Sequence, residues 1–314
     1  IKKNIINLKK NFKSFKPLLC FSVKSNANAN ILNEIKKLGC GADVVSIGEL
    51  KIALKAGVKP SNIVFSGVGK TSNEIKYAIE KKILLINAES KSEVIEIEKI
   101  AKSKKKLVNI GLRLNPDIDA KTLKQISTGK KENKFGVTEK FFFEILNYIK
   151  KSKFIRLKCL SVHIGSQILN HKPYEKMLKI IDRIIKKTSH NFEFIDLGGG
   201  MGIPYENNIK KLNYQKYNSA IKKFLNNHKV KIIFEPGRSI IGDASVLISE
   251  IIYIKKARNK NFIILDAGMN DFMRPSLYGS KHKIIPVTKK NIISNQIYEF
   301  VGPICETTDK FLTV

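Results

Sequence analysis

The hexapeptide "EPGRSI" (235–240) sets a carboxylate, Glu235, and a guanidinium, Arg238, three positions apart, with a proline and a glycine between them. Holding both charges on so tight a bend suits a site that meets a cationic centre and an anion together. Lys24 closes the apolar run "FSVK". A strand that carries an amine into a barrel mouth strips it of water, lowers its pKa and readies it for Schiff-base chemistry; snorkelling to solvent is the plainer alternative. His163 and Ser166 follow the run "LKCLSV", and a lone histidine there is more often a satisfied core residue than a catalyst. In "DLGGGMGIP" the position three after Gly200 is Ile203, so the glycines are no dinucleotide fingerprint. They can still bring backbone N–H groups close to an anion, with Gly237 and Arg238 closing the other side. A plain turn is the alternative.

These residues gain meaning only at strand ends. Short β-branched runs at 18–23, 42–46, 62–67, 83–88, 107–115, 157–165, 192–198 and 231–235 alternate with helical patterns. The intervening helices carry apolar residues at three- and four-residue spacing, and several begin after Ser, Thr or Asn and stop at Gly. Eight β-then-α units with right-handed crossovers predict a (β/α)8 TIM-type barrel over residues 1–242, with ligand chemistry at the carboxyl ends of its strands. Beyond it, "SVLISEIIYIKKARNKNFIILDAGM" reads as two strands around a polar turn, so residues 243–314 are expected to form an antiparallel β domain. The segment "YEFVGPICETTDKFLTV" stops inside what reads as a continuing β domain, an expectation that this domain is truncated at its C-terminus.

Composition narrows the classes. No apolar run approaches the roughly 20 residues that span a bilayer, and residues 1–17 read as a lysine-rich amphipathic helix rather than a signal peptide, so a cytoplasmic chain with no membrane partner is expected. The four cysteines lie far apart with no C-x-x-C spacing, which predicts reduced thiols; Cys305 alone adjoins a carboxylate. The net charge of +31 raises a polyanion as partner, yet the lysines are spread over almost every helix, so no specific nucleic-acid site is expected.

Lys24, His163, the glycine cradle and the Glu235–Arg238 bend together offer an amine, an imidazole, an anion site and a carboxylate. The set fits pyridoxal 5'-phosphate (PLP): phosphate on the glycines, aldehyde on Lys24, the flat ring against His163, and Glu235 on the ring nitrogen. Metal is a poor competitor, because no H-x-x-x-H or comparable ligand spacing occurs.

At this point the chain resembles the diaminopimelate decarboxylases, of the fold type shared with ornithine decarboxylase and alanine racemase. "FSVKSN" is similar to that family's "YAVKAN", and "GADVVSIGEL", "VFSGVGKT", "STGKKENKFG", "HIGSQ", "DLGGGMGIPY", "EPGRSI", "DAGMNDFMRPSLY" and "GPICETTD" follow in the family's order. The resemblance implies Lys24 as the cofactor lysine, with His163 on the ring. It also implies a phosphate site made by Ser166, Gly199, Gly200, Gly237 and Arg238, and Glu235 on the pyridinium nitrogen. Arg238, Arg274 and Tyr278 would contact substrate carboxylate; Cys305 and Glu306 would come from the partner of a homodimer with shared active sites, as proton donor and as contact for the distal amine. Against the family pattern an N-terminal strand before "IKKN" is missing and a tyrosine-bearing segment after "CE" would lie beyond Val314, which again predicts a piece of a longer chain.

The function so implied is decarboxylation of meso-2,6-diaminopimelate to L-lysine and CO2, the last step of lysine biosynthesis. Only six of the 58 basic residues are arginines, which singles out Arg274. A guanidinium pairs bidentately with a distal carboxylate and repels an ammonium. Arg113 is read as supporting structure, not as a substrate contact. Two alternatives stand beside this reading: a decarboxylase of another basic or carboxylated polyamine substrate (carboxynorspermidine, ornithine, arginine), and a non-catalytic basic barrel that binds nucleic acid or a protein.

Overall fold

A computed structural model describes residues 1–120, 128–130, 132–206, 208–258, 260–288 and 296–314. The chain divides into two units, Ile1–Ile203 with Lys211–Ala244, and Pro204–Lys210 with Ser245–Val314.

The first unit is a closed barrel of eight parallel strands in sequence order. They are β1 (Leu18–Ser22), β2 (Gly41–Val44), β3 (Ile63–Phe65), β4 (Leu85–Ala88), β5 (Val108–Arg113), β6 (Ile155–Ser161), β7 (Phe194–Asp196) and β8 (Lys231–Phe234). Closure is direct: Leu18 and Leu19 of β1 pair with Ile233 and Phe234 of β8. After α1 (Lys2–Asn11), the helices between strands are α2 (Ala29–Lys37), α3 (Ile47–Lys55), α4 (Ser72–Lys81), α5 (Lys91–Ser103), α6 (Glu139–Lys150), α7 (Lys172–Thr188) and α8 (Tyr214–Leu225); α9 (Arg238–Ile241) follows β8. Side chains of Asn28, Ser46, Thr71, Ser90 and Asn213 cap helix N-termini by accepting backbone N–H groups, each worth about 1 kcal/mol. Thr71 and Glu74 complete a capping box.

Strand alternation builds the interior. Cys20, Val64, Leu85, Cys159, Phe194 and Ile233 come from six different strands and form one buried apolar cluster, a layer across the barrel. Two residues further along the same strands, on the same face, stand Ser22, Ser66, Asn87, Ser161, Asp196 and Glu235, all buried. A polar layer thus lies directly above an apolar one, at the strand ends. The intervening residues, among them Phe21, Phe65, Ile86, Leu160, Ile195 and Phe234, face the other way, into the cluster shared with Ile35, Leu50, Ile97 and Ile181 of the helices.

The second unit is a four-stranded sheet in the order β12-β11-β10-β9. Its elements are β9 (Ile251–Lys256), β10 (Asn261–Leu265), α10 (Arg274–Tyr278), β11 (Tyr298–Val301) and β12 (Lys310–Thr313). The polar turn read between β9 and β10 is a hairpin, and β11/β12 also pair antiparallel. The sheet is nonetheless mixed, because β10 and β11 are parallel, from Asn261↔Tyr298 to Ile264↔Val301. The connection that contains α10 is long enough to return the chain to the starting end of the sheet, which a parallel neighbour requires. Among the described residues, no helix is long and apolar enough to cross a membrane.

Candidate active site at the barrel mouth

The barrel brings Lys24, His163, Ser166, Gly199, Gly200, Glu235, Gly237 and Arg238 to the carboxyl ends of β1, β6, β7 and β8. Lys24 sits in a single 3-10 turn, Val23–Ser25, immediately after β1. Ser25 Oγ donates to the Ser22 carbonyl at 2.7 Å and fixes the turn. Val23 is the last buried residue of the run; the Lys24 side chain is exposed rather than desolvated, because the chain turns before it. An amine so placed is open to an incoming aldehyde.

His163 is half-buried beyond β6, and the Gly199 N–H donates to its Nδ1 at 3.2 Å. That bond leaves Nε2 to carry the proton of a neutral ring. Burial, and then the positive charges of Arg113 and Lys24, push the imidazole well below its ordinary pKa. The ring is therefore a flat, uncharged surface. Gly198, at φ 63°, lets the backbone pass against it, since a Cβ there would lie 2.6 Å from His163 Nδ1. A Cβ on Gly199 would lie 2.2 Å from the Glu235 carbonyl oxygen, so the loops after β7 and β8 touch through that glycine. Tyr174 OH donates to the Gly199 carbonyl at 3.2 Å and holds the loop from behind.

Arg238 Nη2 donates to Ser166 Oγ at 3.3 Å, which joins the loops after β6 and β8. Beside it the buried Ser239 Oγ has no hydrogen-bond partner among the described residues. Glu235 directly follows β8, the strand next to the one that Lys24 follows. Its carboxyl accepts from Ser66 Oγ at 3.1 Å and is pushed well above the ordinary carboxyl range, first by burial, then by the charges of Asp196 and Asp43, with Lys24 opposing.

Arg113 was read from the sequence as supporting structure, whereas Glu89, Lys70, Glu93 and the buried polar residues below were given no role there. Arg113 Nη1 pairs with Glu89 Oε1 at 3.0 Å, and the guanidinium lies 4.8 Å from the Phe135 ring centroid. Glu89 also accepts the N–H of Gly67 at 3.1 Å and that of Gly136 at 2.9 Å, clamping the loops after β3 and β5. The buried Lys70 ammonium donates to the carbonyls of Gly67 and Asn87 and pairs with Glu93 at 2.7 Å, so it braces the ends of β3 and β4. Asp43, Ser66, Asn87, Ser161 and Asp196 share the buried polar layer with Glu235. The signal that could have found them is a polar residue at an inward position of an apolar strand.

The remaining expected residues lie in the second unit. The half-buried Arg274 guanidinium is 5.5 Å from the ring centroids of both Tyr205 and Tyr278. Cys305 is exposed, whereas Cys20, Cys40 and Cys159 are buried; all four are free thiols. Cys305 and Glu306 ride on a turn pinned by Asp309, which accepts the N–H groups of Met269 at 2.7 Å and Ile304 at 2.8 Å.

The chemistry of the first unit's rim fits PLP. An exposed amine, a neutral imidazole face, glycines with no room for Cβ, a Ser166–Arg238 pair beside an orphaned Ser239 hydroxyl, and a buried carboxyl are all present. Residues 1–242 match the family model described as "Pyridoxal-dependent decarboxylase, pyridoxal binding domain". The barrel and its rim are therefore the coenzyme domain of a pyridoxal-dependent decarboxylase. Diaminopimelate decarboxylase of Helicobacter pylori (strain J99) is 45% identical over 315 residues, covering 99% of this chain and 78% of that protein. The Aquifex aeolicus enzyme is 42% identical over 296 residues, covering 93% and 70%. The crystal structure of the H. pylori enzyme complexed with L-lysine superposes with a TM-score of 0.95 at 44% identity, over 100% of this chain and 79% of that one. The M. jannaschii enzyme in complex with L-lysine superposes at 0.91 with 33% identity, over 99% and 75%. The chain belongs to the diaminopimelate decarboxylase family.

Proposed function

We propose that the chain decarboxylates meso-2,6-diaminopimelate to L-lysine and carbon dioxide with PLP. The observation that carries this reading is the placement of Lys24 and Glu235 at the ends of the hydrogen-bonded neighbours β1 and β8, an open amine beside a buried carboxyl. When bound, the coenzyme supplies an electron-withdrawing ring that takes up the electron pair left at Cα as carbon dioxide departs. Lys24 holds its aldehyde. His163, neutral and flat, covers one face of the ring and keeps water from it. Glu235 faces the ring nitrogen, and Ser166, Gly199, Gly200, Gly237 and Arg238 hold the phosphate.

On the substrate side, Arg238, Arg274 and Tyr278 bind carboxylate. Arg274 selects the distal carboxylate of diaminopimelate and rejects ornithine, whose distal end is an ammonium. Glu306 takes the distal amine, and the Cys305 thiol returns a proton to Cα. Cys305 and Glu306 act across a homodimer with shared active sites. The barrel and the β domain are read as residues 1–242 and 243–314, and the free thiols suit the cytoplasm.

The test is carbon dioxide release from meso-diaminopimelate, carboxynorspermidine, ornithine and arginine by the PLP-loaded chain. Turnover of the first alone is expected, with the coenzyme trapped on Lys24 by borohydride and the visible absorbance lost as it is reduced. Arg274→Ala should lower kcat/KM for diaminopimelate by about 100-fold, the loss of one charge-assisted pair worth about 3 kcal/mol. Release from ornithine in preference to diaminopimelate would overturn the assignment.

A further inference from the structure

Two carboxyl groups meet in the polar layer of the barrel. Asp196 at the end of β7 and Glu235 beyond β8 are both buried and hydrogen-bonded to each other. Two carboxylates in contact in a dry site cannot both be ionised, so the contact requires a shared proton. Which group keeps it follows from the donors around each. Asp196 Oδ1 accepts the Gly198 N–H at 2.9 Å, and its Oδ2 accepts Asn87 Nδ2 at 2.9 Å and Ser161 Oγ at 3.2 Å. Glu235 accepts from Ser66 Oγ at 3.1 Å. Donors favour the charged form, so the charge belongs on Asp196 and the proton on Glu235.

The surroundings are built to keep it there. Asn87 Nδ2 also donates to Ser66 Oγ at 3.2 Å, which leaves the Ser66 proton for Glu235. Gly111 makes the room for Asn87: a Cβ there would stand 1.9 Å from Asn87 Oδ1. The other ionisable groups facing the pair are Asp43 on β2, whose charge also opposes ionisation of Glu235, and Lys24 after β1, which acts the other way. The thiols of Cys20 and Cys159 and the Tyr217 phenol are held protonated by burial.

We propose that Asp196 is a positioning residue that, through its hydrogen bond, stores on Glu235 the proton that the coenzyme's pyridine nitrogen takes on binding. The proposal rests on the PLP reading above. In the step, the Glu235 O–H bond breaks and a pyridine N–H bond forms; a neutral acid and a neutral ring become a carboxylate and a pyridinium, with no proton drawn from solvent. Asp196 stays ionised throughout.

The experiment counts protons. The full chain, stripped of coenzyme, is titrated with PLP in a calorimeter in two buffers of different ionisation heat, at a pH where the free ring nitrogen is unprotonated. Asp196→Asn turns the neighbour into an amide that donates to Glu235 and lets it ionise beforehand. It is expected to take up about one more proton per site from solvent than the wild type does. Equal uptake would overturn the proposal. Should Asp196→Asn fail to fold, infrared difference spectra of the wild type decide. A carboxylic-acid C=O band is expected in the coenzyme-free protein, lost when PLP binds and absent from Glu235→Gln; its absence from the coenzyme-free wild type overturns the proposal. If PLP does not bind the wild type at all, the functional reading itself fails, and the proposal with it.

Discussion

At the scale of single residues the site is organised by where charge is refused. His163, after β6, and Glu235, after β8, flank the β7 loop at one mouth, and each is driven to its neutral form, the histidine below its ordinary pKa and the glutamate above. Their effects on stability run in opposite directions. Glu235 contributes stability below the ordinary glutamate range, and that contribution is lost as pH rises through its higher folded value. His163 contributes above the ordinary histidine range and loses its share as pH falls. For the coenzyme-free protein, the melting-temperature difference between wild type and Glu235→Gln should therefore shift steadily in favour of the variant as pH rises from about 4.5 to neutrality. Melting curves across that range check it, and a difference independent of pH would contradict it. The motif residues were legible because their types suggest chemistry by themselves: an amine, an imidazole, a glycine run, a carboxylate beside a guanidinium. Asp196, Asn87 and Ser66 were not, because their roles arise only when strands distant in sequence close into one ring.

Elements place these residues, and the loops between β3, β4 and β5 are held by buried charge rather than by apolar packing. The Lys70 side chain is fully buried and that of Glu93 is 9% exposed, at 2.7 Å. Removing one member of such a pair strands the other, at a cost of about 3–5 kcal/mol. Lys70→Ala should lose that much on urea unfolding, and with it the fixed position of Gly67, Glu89 and Arg113. A loss below about 1 kcal/mol would mean that the pair behaves as a solvated one. The eight strands and their helices could be read from the sequence, since alternation of period two and three-to-four spacing follow from local geometry. The same alternation contained the layering, Cys20 then Ser22, Phe194 then Asp196, Ile233 then Glu235. Local pattern could not supply the parallel pairing of β10 with β11, because a long connection leaves strand direction to tertiary packing.

On the scale of the whole molecule, the division of chemistry is uneven. Lys24, His163 and Glu235 belong to the barrel; Arg274, Cys305 and Glu306 belong to the second unit. If active sites are shared between copies, a Lys24→Ala chain and a Cys305→Ala chain, each inactive alone, should regain activity when unfolded together and refolded as a mixture. Persistent inactivity would exclude sharing. The charge of +31 and the scatter of its lysines over almost every helix were both legible in the sequence. All six residues of β9 are exposed, among them Ile251, Ile252, Tyr253 and Ile254, and the strand lies at an outer edge of the sheet. An apolar ribbon with open backbone groups is a template for its own likeness, and a net charge of +31 sets electrostatic repulsion between copies against that pairing. Salt shortens the reach of that repulsion without weakening the ribbon. Colloidal stability should accordingly be best in dilute, low-salt solution and poorest where the lysines are screened.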